Sequence, residues 1–376
     1  MPQSFWRSLP NLEYLDMSKN HMQGTLNLSG ISTTLELLDL SSNRFGGKLP
    51  DVSNGSFPRL LDLSNNLFVG SLHHLLCSDG VKATHMLNIG NNSLSGVIPE
   101  CWKKWRRLSF LNLENNNFSG GIPRTLGRAR HIQSLNMRGN KLVAASLMNL
   151  TYLILELSGN ELAGSIPSWI GTKLSSLRLL NLISNHFVGN ILQELCYLTH
   201  IQILDLSGNK LMGDIPRCFN NFSVLSGKIS VPDYDFLMGT GIGNHLTGRI
   251  PKKIGDMKEL KSFDLSQNKL SGELPMSLSS LSSLSSFNVS YNNLTGGIPS
   301  STQLQSLNES CFVGNELCGD PLTERCSRIE APDTDHEEDG NTNHEEDDVS
   351  RGQGRNQGVP AGAREPYEFF RFSVNF

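Results

Sequence analysis

The residues best suited to chemistry are seven cysteines and a small histidine cluster. His73, His74 and Cys77 carry side chains that can bind a transition metal. A structural metal site needs further ligands, and the sequence places no second ligand cluster near them. Cys77 also has a possible disulfide partner in Cys101. The sequence therefore favours a disulfide here and predicts no metal and no cofactor.

Motifs of the common enzyme classes are absent from the sequence. It contains no G-x-S-x-G, H-E-x-x-H or C-x-x-C motif and none of the protein-kinase elements. Gly239, Gly241 and Gly243 resemble a dinucleotide fingerprint, but the last glycine is misplaced and no strand-then-helix pattern surrounds them. A damaged repeat or an inserted loop explains these glycines better than a nucleotide site. We predict that the chain is not an enzyme.

A repeat of about 24 residues organises most of the chain. It is visible in LDLSSNRFGGKLP at 38–50, LNLENNNFSGGIP at 111–123 and LDLSGNKLMGDIP at 204–216. The repeat asparagines are Asn20, Asn43, Asn66, Asn92, Asn116, Asn140, Asn160, Asn185, Asn209, Asn244, Asn268 and Asn292. The rhythm breaks once, between Asn209 and Asn244.

The L-x-L part of each repeat predicts a short strand. Alternation places Leu111 and Leu113 on one face, and Phe110, Asn112 and Glu114 on the other. Stacked coils can bury the leucines, each contributing about 1.5 to 3 kcal/mol. The repeat asparagine turns the chain inward, where its amide can pair with backbone groups that would otherwise be buried without partners.

The motif L-x-x-L-x-L-x-x-N-x-L-x-G-x-I-P, found over residues 1–299, is similar to the plant-specific class of leucine-rich repeats. We predict an α/β leucine-rich-repeat solenoid, a curved right-handed superhelix with a concave parallel β-sheet and a mostly 3₁₀ or irregular convex side. Residues 1–216 would form nine strand-bearing coils, 217–243 a degenerate repeat or inserted loop, and 244–307 further repeats. A C-terminal cap at 308–327 and an acidic, then basic, disordered tail at 328–376 would follow.

The cap pattern F-x-G-N-x-L-C-G-x-P-L-x-x-x-C at 312–326 is similar to the C-terminal cap of plant leucine-rich-repeat receptor-like proteins and receptor kinases. In the receptor-like proteins, an acidic stretch and one membrane helix follow the cap. Here the acidic stretch is present at 333–348, but no apolar run reaches the ~18 residues of a membrane helix. The first residues do not resemble a signal peptide. We therefore expect the C-terminal portion of such an ectodomain, whether as a fragment, a pseudogene product or a true short form.

Four cysteines occupy matching places in adjacent coils. Cys77 and Cys196 lie 11 residues after their repeat asparagines, and Cys101 and Cys218 lie 9 residues after theirs. The spacing of ~4.8 Å between coils suits the ~4.4 to 6.8 Å between α-carbons of a disulfide. We predict the bridges Cys77–Cys101 and Cys196–Cys218; the alternative is that these are buried free thiols.

The cap resemblance implies a third bridge, between Cys318 and Cys326. Cys311 is then left over, either free or paired between chains.

The outward strand positions of most coils carry Asp-x-Ser, as at Asp62 and Ser64, whereas the middle coils depart from this pattern. Aromatic and arginine side chains on a small, polar surface are where binding energy concentrates. The departures, which we predict to form a ligand-binding patch, are Met86, Phe110, Glu114, Arg138, Ile154, Glu156, Leu179 and Ile183. Ordinary drift of a non-binding surface is the alternative.

Asn-x-Ser/Thr sequences mark possible glycan acceptors in a secreted chain. They occur at Asn27, Asn54, Asn91, Asn117, Asn149, Asn221, Asn288, Asn293 and Asn308.

The family resemblance implies a non-catalytic, extracellular module that binds a peptide or protein ligand and signals through partner receptor kinases, in surface immunity or development. Its place would be the outer side of the plasma membrane, although the chain as written contains no membrane segment and could be secreted or incomplete. Because there is no basic stripe with interleaved aromatics, no nucleic-acid partner is expected. The alternatives are a secreted inhibitor of a wall-degrading enzyme such as polygalacturonase, which the mildly basic body would suit, and a non-functional remnant.

Overall fold

A computed structural model describes residues 3–28, 30–50, 57–78, 82–129, 131–144, 154–230, 243–326 and 373–375. Within these ranges, twelve short strands form one parallel sheet, the main sheet. Their order across the sheet is Tyr14–Asp16, Leu37–Asp39, Leu60–Asp62, Met86–Asn88, Phe110–Asn112, Ser134–Asn136, Ile154–Glu156, Leu179–Asn181, Ile203–Asp205, Ser373–Asn375, Ser262–Asp264 and Ser286–Asn288. The predicted solenoid with a parallel sheet on one side is confirmed.

The main sheet keeps the repeats in register, so equivalent leucines lie beside one another. Leu111 pairs with Leu87 on one side and Leu135 on the other. All three side chains are fully buried, and they belong to one apolar core that runs the length of the solenoid. Each coil therefore depends on its neighbours to cover its leucines.

A second set of parallel strands follows the repeat asparagines, where the sequence predicted irregular structure. Three groups of strands occur in the described ranges: Gln23–Thr25, Arg44–Lys48, Leu67–Gly70, Ser93–Val97, Asn117–Gly121 and Lys141–Ala144; Ala163–Gly164, His186–Asn190, Lys210–Gly213 and His245–Leu246; and Ser271–Glu273, Asn293–Gly297 and Glu316–Cys318. These segments are extended because the next coil holds them. The Phe45 N–H, for example, donates to Asn66 Oδ1 of the following coil at 3.0 Å.

Short helices complete the coils. The α-helices are Gln3–Arg7, His73–Cys77, Trp169–Lys173 and Thr302–Gln305, and the 3₁₀ helices are Trp102–Lys104, Arg124–Arg128, Gln193–Tyr197, Arg217–Asn221, Ile254–Asp256, Met276–Ser280 and Glu309–Cys311. Pro123, Pro216 and Pro275 each precede a 3₁₀ helix with φ near −60°. The proline that follows the apolar Ile or Leu thus begins the outer segment, because its ring fixes the φ angle that the turn requires.

The repeat asparagines connect neighbouring coils through their buried amides, as the repeat motif predicted. Asn66 Nδ2 donates to Leu40 O of the preceding coil at 3.0 Å and to Leu63 O and Ser64 O of its own coil. Its Oδ1 accepts from Phe45 of the preceding coil. One amide therefore pairs with four backbone groups, which would otherwise be buried without partners.

The C-terminal tail contains a strand that the sequence did not predict. We expected disorder throughout 328–376, yet Ser373–Asn375 lies in the main sheet between Ile203–Asp205 and Ser262–Asp264. The expectation of disorder is wrong for these three residues, because the neighbouring strands offer a full hydrogen-bonding ladder on both sides. Residues 231–242 and 327–372 lie outside the described part of the chain. No helix within the described ranges is long and apolar enough to cross a membrane.

Candidate ligand-binding surface of the middle coils

An apolar row crosses the solvent-facing side of the main sheet. The first residues of three consecutive strands, Leu60, Met86 and Phe110, are paired in register. Each is partly exposed, whereas the leucine that follows it in the chain is fully buried. Ser134 ends the row. The structure thus brings together two residues predicted for the patch, Met86 and Phe110, and adds Leu60 beside them.

A cationic groove of about 480 Å³ borders this apolar row. Its lining side chains are Arg59, His85, Arg107, Ser109, His131 and Gln133. Arg59, His85 and Ser109 each immediately precede a member of the apolar row in the chain. Arg59 also forms an ion pair with Glu36, whose Oε1 lies 3.7 Å from Arg59 Nη1. The groove can therefore bind an acidic group while the row binds an apolar one.

The cationic groove could not be recognised from the strand positions alone. The available signal was the residue directly before each strand, which is basic at Arg59 and His85 in consecutive coils.

The last strand position forms a polar row whose role is structural. The side-chain oxygens of Asp62, Asn112 and Asn136 each accept a hydrogen bond from the backbone N–H two residues later, at 2.9 to 3.1 Å. This contact ends the strand in an Asx turn. Asp or Asn is therefore required at this position by the turn, whether or not a ligand binds.

Glu114 and Arg138 lie beyond this polar row. Glu114 is half-buried; its Oε2 accepts from Asn136 Nδ2 at 2.9 Å, and its Oε1 accepts from Asn112 Nδ2 at 3.2 Å. The carboxylate is thus held between two coils. Arg138 is exposed one coil further along and keeps its guanidinium on the surface.

Glu156 is buried, which contradicts its prediction as an exposed recognition residue. Its relative exposure is 3%. Glu156 takes the place of Asp or Asn in the polar row: Oε1 accepts from Ser158 N at 3.0 Å and Oε2 accepts from Asn181 Nδ2 at 2.8 Å. Alternation along a strand predicts the face of a side chain but not its depth, and here the carboxylate folds back onto its own turn.

The Glu156 carboxyl predicts a pH-dependent stability. Burial disfavours its ionised form and raises its pKa from 4.5, opposed by hydrogen bonds from Ser158 and Asn181 and by the charge of Arg138. Above pH 4.5 the folded chain retains a proton that the unfolded chain has lost, so this carboxyl reduces stability as the pH rises. We expect the Tm of Glu156→Gln to rise relative to that of wild type as the pH increases from 4 to 8. A difference in Tm that does not change with pH would contradict the raised pKa of Glu156.

Leu179 and Ile183 are also buried, with relative exposures of 3% and 8%. Leu179 lies in register between Ile154 and Ile203, so the three apolar side chains shield one another. Ile154 keeps partial exposure. Of the predicted patch, Met86, Phe110, Glu114, Arg138 and Ile154 therefore remain accessible to a ligand.

Three disulfides join the cysteine pairs proposed from the repeat offsets and the cap pattern. The α-carbon separations are 5.3 Å for Cys77–Cys101, 5.9 Å for Cys196–Cys218 and 5.0 Å for Cys318–Cys326. Cys311 carries a free thiol and is partly buried, and burial raises the pKa of this thiol. His73 and His74 are exposed, and no group of three metal-binding side chains occurs in the described ranges.

Comparison with known proteins shows which proteins this architecture resembles. The Leucine Rich Repeat model matches residues 34–55, 84–105, 107–129, 200–222, 259–281 and 283–305. Receptor-like protein EIX2 of Solanum lycopersicum is 41% identical over 226 residues, half of this chain. The HAESA receptor kinase of Arabidopsis, solved with the peptide hormone IDA and the co-receptor SERK1, is 33% identical with a TM-score of 0.68 over 85% of this chain. The chain has the leucine-rich-repeat fold and is similar to plant receptor-like proteins and receptor-kinase ectodomains.

The leucine-rich-repeat chain spans only part of these relatives, covering 22% of EIX2 and 52% of the HAESA chain. A plant ice-binding protein shares the fold at 27% identity, with a TM-score of 0.53 over 69% of this chain. Ectodomains of this fold are typically non-catalytic. Since the same fold serves different purposes, the function has to be argued from the surface.

Glycan acceptors of this leucine-rich-repeat chain differ in accessibility. Asn27, Asn117, Asn221, Asn293 and Asn308 are exposed, whereas Asn91 and Asn288 are partly buried. Asn288 ends a main-sheet strand, and its Oδ1 accepts from Ser290 N at 3.1 Å. Asn54 and Asn149 lie outside the described residues. Because Asn91 and Asn288 are partly buried, we expect the exposed acceptors to be the better glycan sites.

Proposed function

We propose that the chain is the non-catalytic, extracellular ligand-binding part of a plant receptor-like protein. The observation that carries this proposal is the apolar row Leu60, Met86 and Phe110 lying directly beside the cationic groove. Partly exposed aromatic and aliphatic side chains next to arginines are the composition of a binding hot spot. The family relationship to EIX2 and HAESA agrees with this assignment.

The ligand is inferred from the surface that it would cover. The apolar row runs across successive coils at ~4.8 Å each, so it suits an extended peptide whose apolar side chains lie along it. The two arginines and two histidines of the groove would pair with an acidic side chain or terminal carboxylate of that peptide. Arg138 and Glu114 would contact its polar side chains.

Partner receptor kinases would carry the signal onward, as the similarity to plant receptor-like proteins implies. HAESA, which was solved with a peptide hormone and a co-receptor, provides the precedent for such an arrangement. The location would be the outer side of the plasma membrane, and three disulfides suit that oxidising compartment. Immune and developmental signalling both fit this surface.

Substitution in the apolar row tests the proposal. Secreted chain would be incubated with the peptide fraction of plant extracellular fluid and of microbial culture, and retained peptides identified by mass spectrometry. We expect Phe110→Glu to reduce recovery of the retained peptides more than about 10-fold, because a buried charge removes a hot-spot contact of about 2 kcal/mol.

The matched control is Val97→Glu, which places the same charge at an exposed valine of a neighbouring coil, outside the main sheet. Peptide recovery with this variant should equal that of wild type. If all three proteins retain the same peptides equally, the apolar row is not the binding surface.

Inhibition of a polygalacturonase is the second candidate function, and the cationic groove is the observation that favours it. A basic groove would suit an acidic wall polymer or an acidic enzyme. Purified chain would be titrated into a polygalacturonase assay. No loss of enzyme activity at micromolar protein removes this candidate and leaves the receptor function untouched.

A further inference from the structure

The coil that contains Asn244 shows no main-sheet strand within its described residues. The repeat asparagines continue through this coil: Asn244 Nδ2 donates to Leu206 O at 2.9 Å, and Leu211 N donates to Asn244 Oδ1 at 3.0 Å. The outer elements Arg217–Asn221 and His245–Leu246 are also present. Yet none of the described residues between Asp205 and Ser262 forms a main-sheet strand. The coil therefore leaves a gap between two strands, where backbone donors and acceptors need a partner.

Ser373–Asn375 fills this gap with pairing as complete as that of any repeat strand. Ser373, Val374 and Asn375 are in parallel register with Ile203, Leu204 and Asp205 on one side. On the other side they pair with Ser262, Phe263 and Asp264. The polar, apolar, polar order of Ser-Val-Asn matches Ser-Phe-Asp of the next strand. The segment thus has the sequence character of a main-sheet strand.

Three solvent-facing strand residues that border the gap are buried, whereas Asp264 is partly exposed. Asp205 and Ile203 have relative exposures of 0% and 2%, and Ser262 of 8%. At equivalent positions elsewhere the exposure varies: Asp62 is partly exposed and Ser286 is exposed, whereas Leu179 is buried. The edges of the gap are therefore covered, as expected of an occupied binding position.

We propose that the gap between Ile203–Asp205 and Ser262–Asp264 is a binding site for one extended peptide strand, and that the chain's own Ser373–Asn375 is its occupant. This site is separate from the middle-coil surface. The gap lies about three coil spacings from the cap, roughly 15 Å, and residues 327–372 can span far more than that distance. Because Ser373–Asn375 belongs to the same chain, its local concentration at the gap exceeds that of a second copy, which favours binding within one chain.

Cysteine pairing tests the occupant directly, with Cys311→Ser as the background of every variant. Ser262 and Ser373 are register partners, so Ser262→Cys with Ser373→Cys should form a disulfide in the monomer of the full chain. Ser286→Cys with Ser373→Cys is the control, since that strand is one spacing further away and should not link. Three results would overturn the proposal: a disulfide that forms only between two chains, no disulfide at all, or a disulfide that forms equally well with the cysteine at position 286.

A second experiment measures the binding of a labelled synthetic peptide of residues 368–376, which can enter the gap only when Ser373–Asn375 leaves it. Val374→Pro removes a backbone N–H donor from the strand and should leave the gap unoccupied. The control, Val349→Pro, makes the same substitution earlier in the tail. We expect the peptide to bind the Val374→Pro chain at least about 10-fold more tightly than wild type or Val349→Pro, because the tethered strand no longer competes. Equal binding to all three proteins, or equal binding of a scrambled peptide, would contradict a strand-specific site.

Discussion

Leu182→Asp should lower the free energy of unfolding by more than about 4 kcal/mol, because it buries a charge that has no partner. Leu182 is fully buried, and it occupies the same repeat position as Leu157 and Leu206, which are also buried. A carboxylate at this position would lie in the continuous apolar core. Since each coil covers the leucines of its neighbours, we expect adjacent coils to unfold together with this one.

Urea denaturation followed by circular dichroism measures the loss. Val188→Asp is the matched control, because it introduces the same charge into the same coil at a valine that is 41% exposed. We expect the control to change stability by about 0.5 kcal/mol or less. Similar losses for the two variants would mean that the strand faces are assigned wrongly.

Asn185→Ala should have the second largest effect. Asn185 is buried; its Nδ2 donates to Leu157 O and Leu182 O at 3.0 Å, and its Oδ1 accepts from Leu162 N at 3.1 Å. Alanine leaves these backbone groups without partners, each costing roughly 1 to 3 kcal/mol. The lost hydrogen bonds lie at the junction between two coils. The variant should therefore unfold at a lower urea concentration, while the slope of the unfolding free energy against urea concentration stays unchanged.

Asn190→Ala provides the comparison for Asn185→Ala. Asn190 ends the outer strand of the same coil and is exposed. We expect it to tolerate alanine within about 0.5 kcal/mol. If Asn185→Ala were equally mild, the repeat asparagines would not hold neighbouring coils together, and the physical reason for their recurrence would be wrong.

The solenoid could be predicted from sequence because its information is local and repeated. Leu111, Leu113 and Asn116 have equivalents in almost every coil, so one interpretation is tested many times within the chain. The outer strands were harder to predict. Segments such as Arg44–Lys48 contain two glycines and look irregular, and they become extended through hydrogen bonds from the next coil.

The candidate surface could be predicted only in part, because alternation does not report depth. Met86 and Phe110 are accessible, but Glu156 folds onto its own turn and Leu179 is covered by its neighbours. The cationic groove draws Arg59 and His131 from different coils, and such neighbours become visible only after stacking. The Ser373–Asn375 strand was missed because three residues are too few to form a detectable pattern.

Peptide mapping of the secreted, non-reduced chain tests the coil register most directly. The account predicts three linked pairs, Cys77–Cys101, Cys196–Cys218 and Cys318–Cys326, with Cys311 free. The two inter-coil pairs join adjacent repeats, so they can form only if the stacking is as described. Finding Cys77 linked to any cysteine other than Cys101 would contradict the register on which the fold and the proposed binding surface both depend.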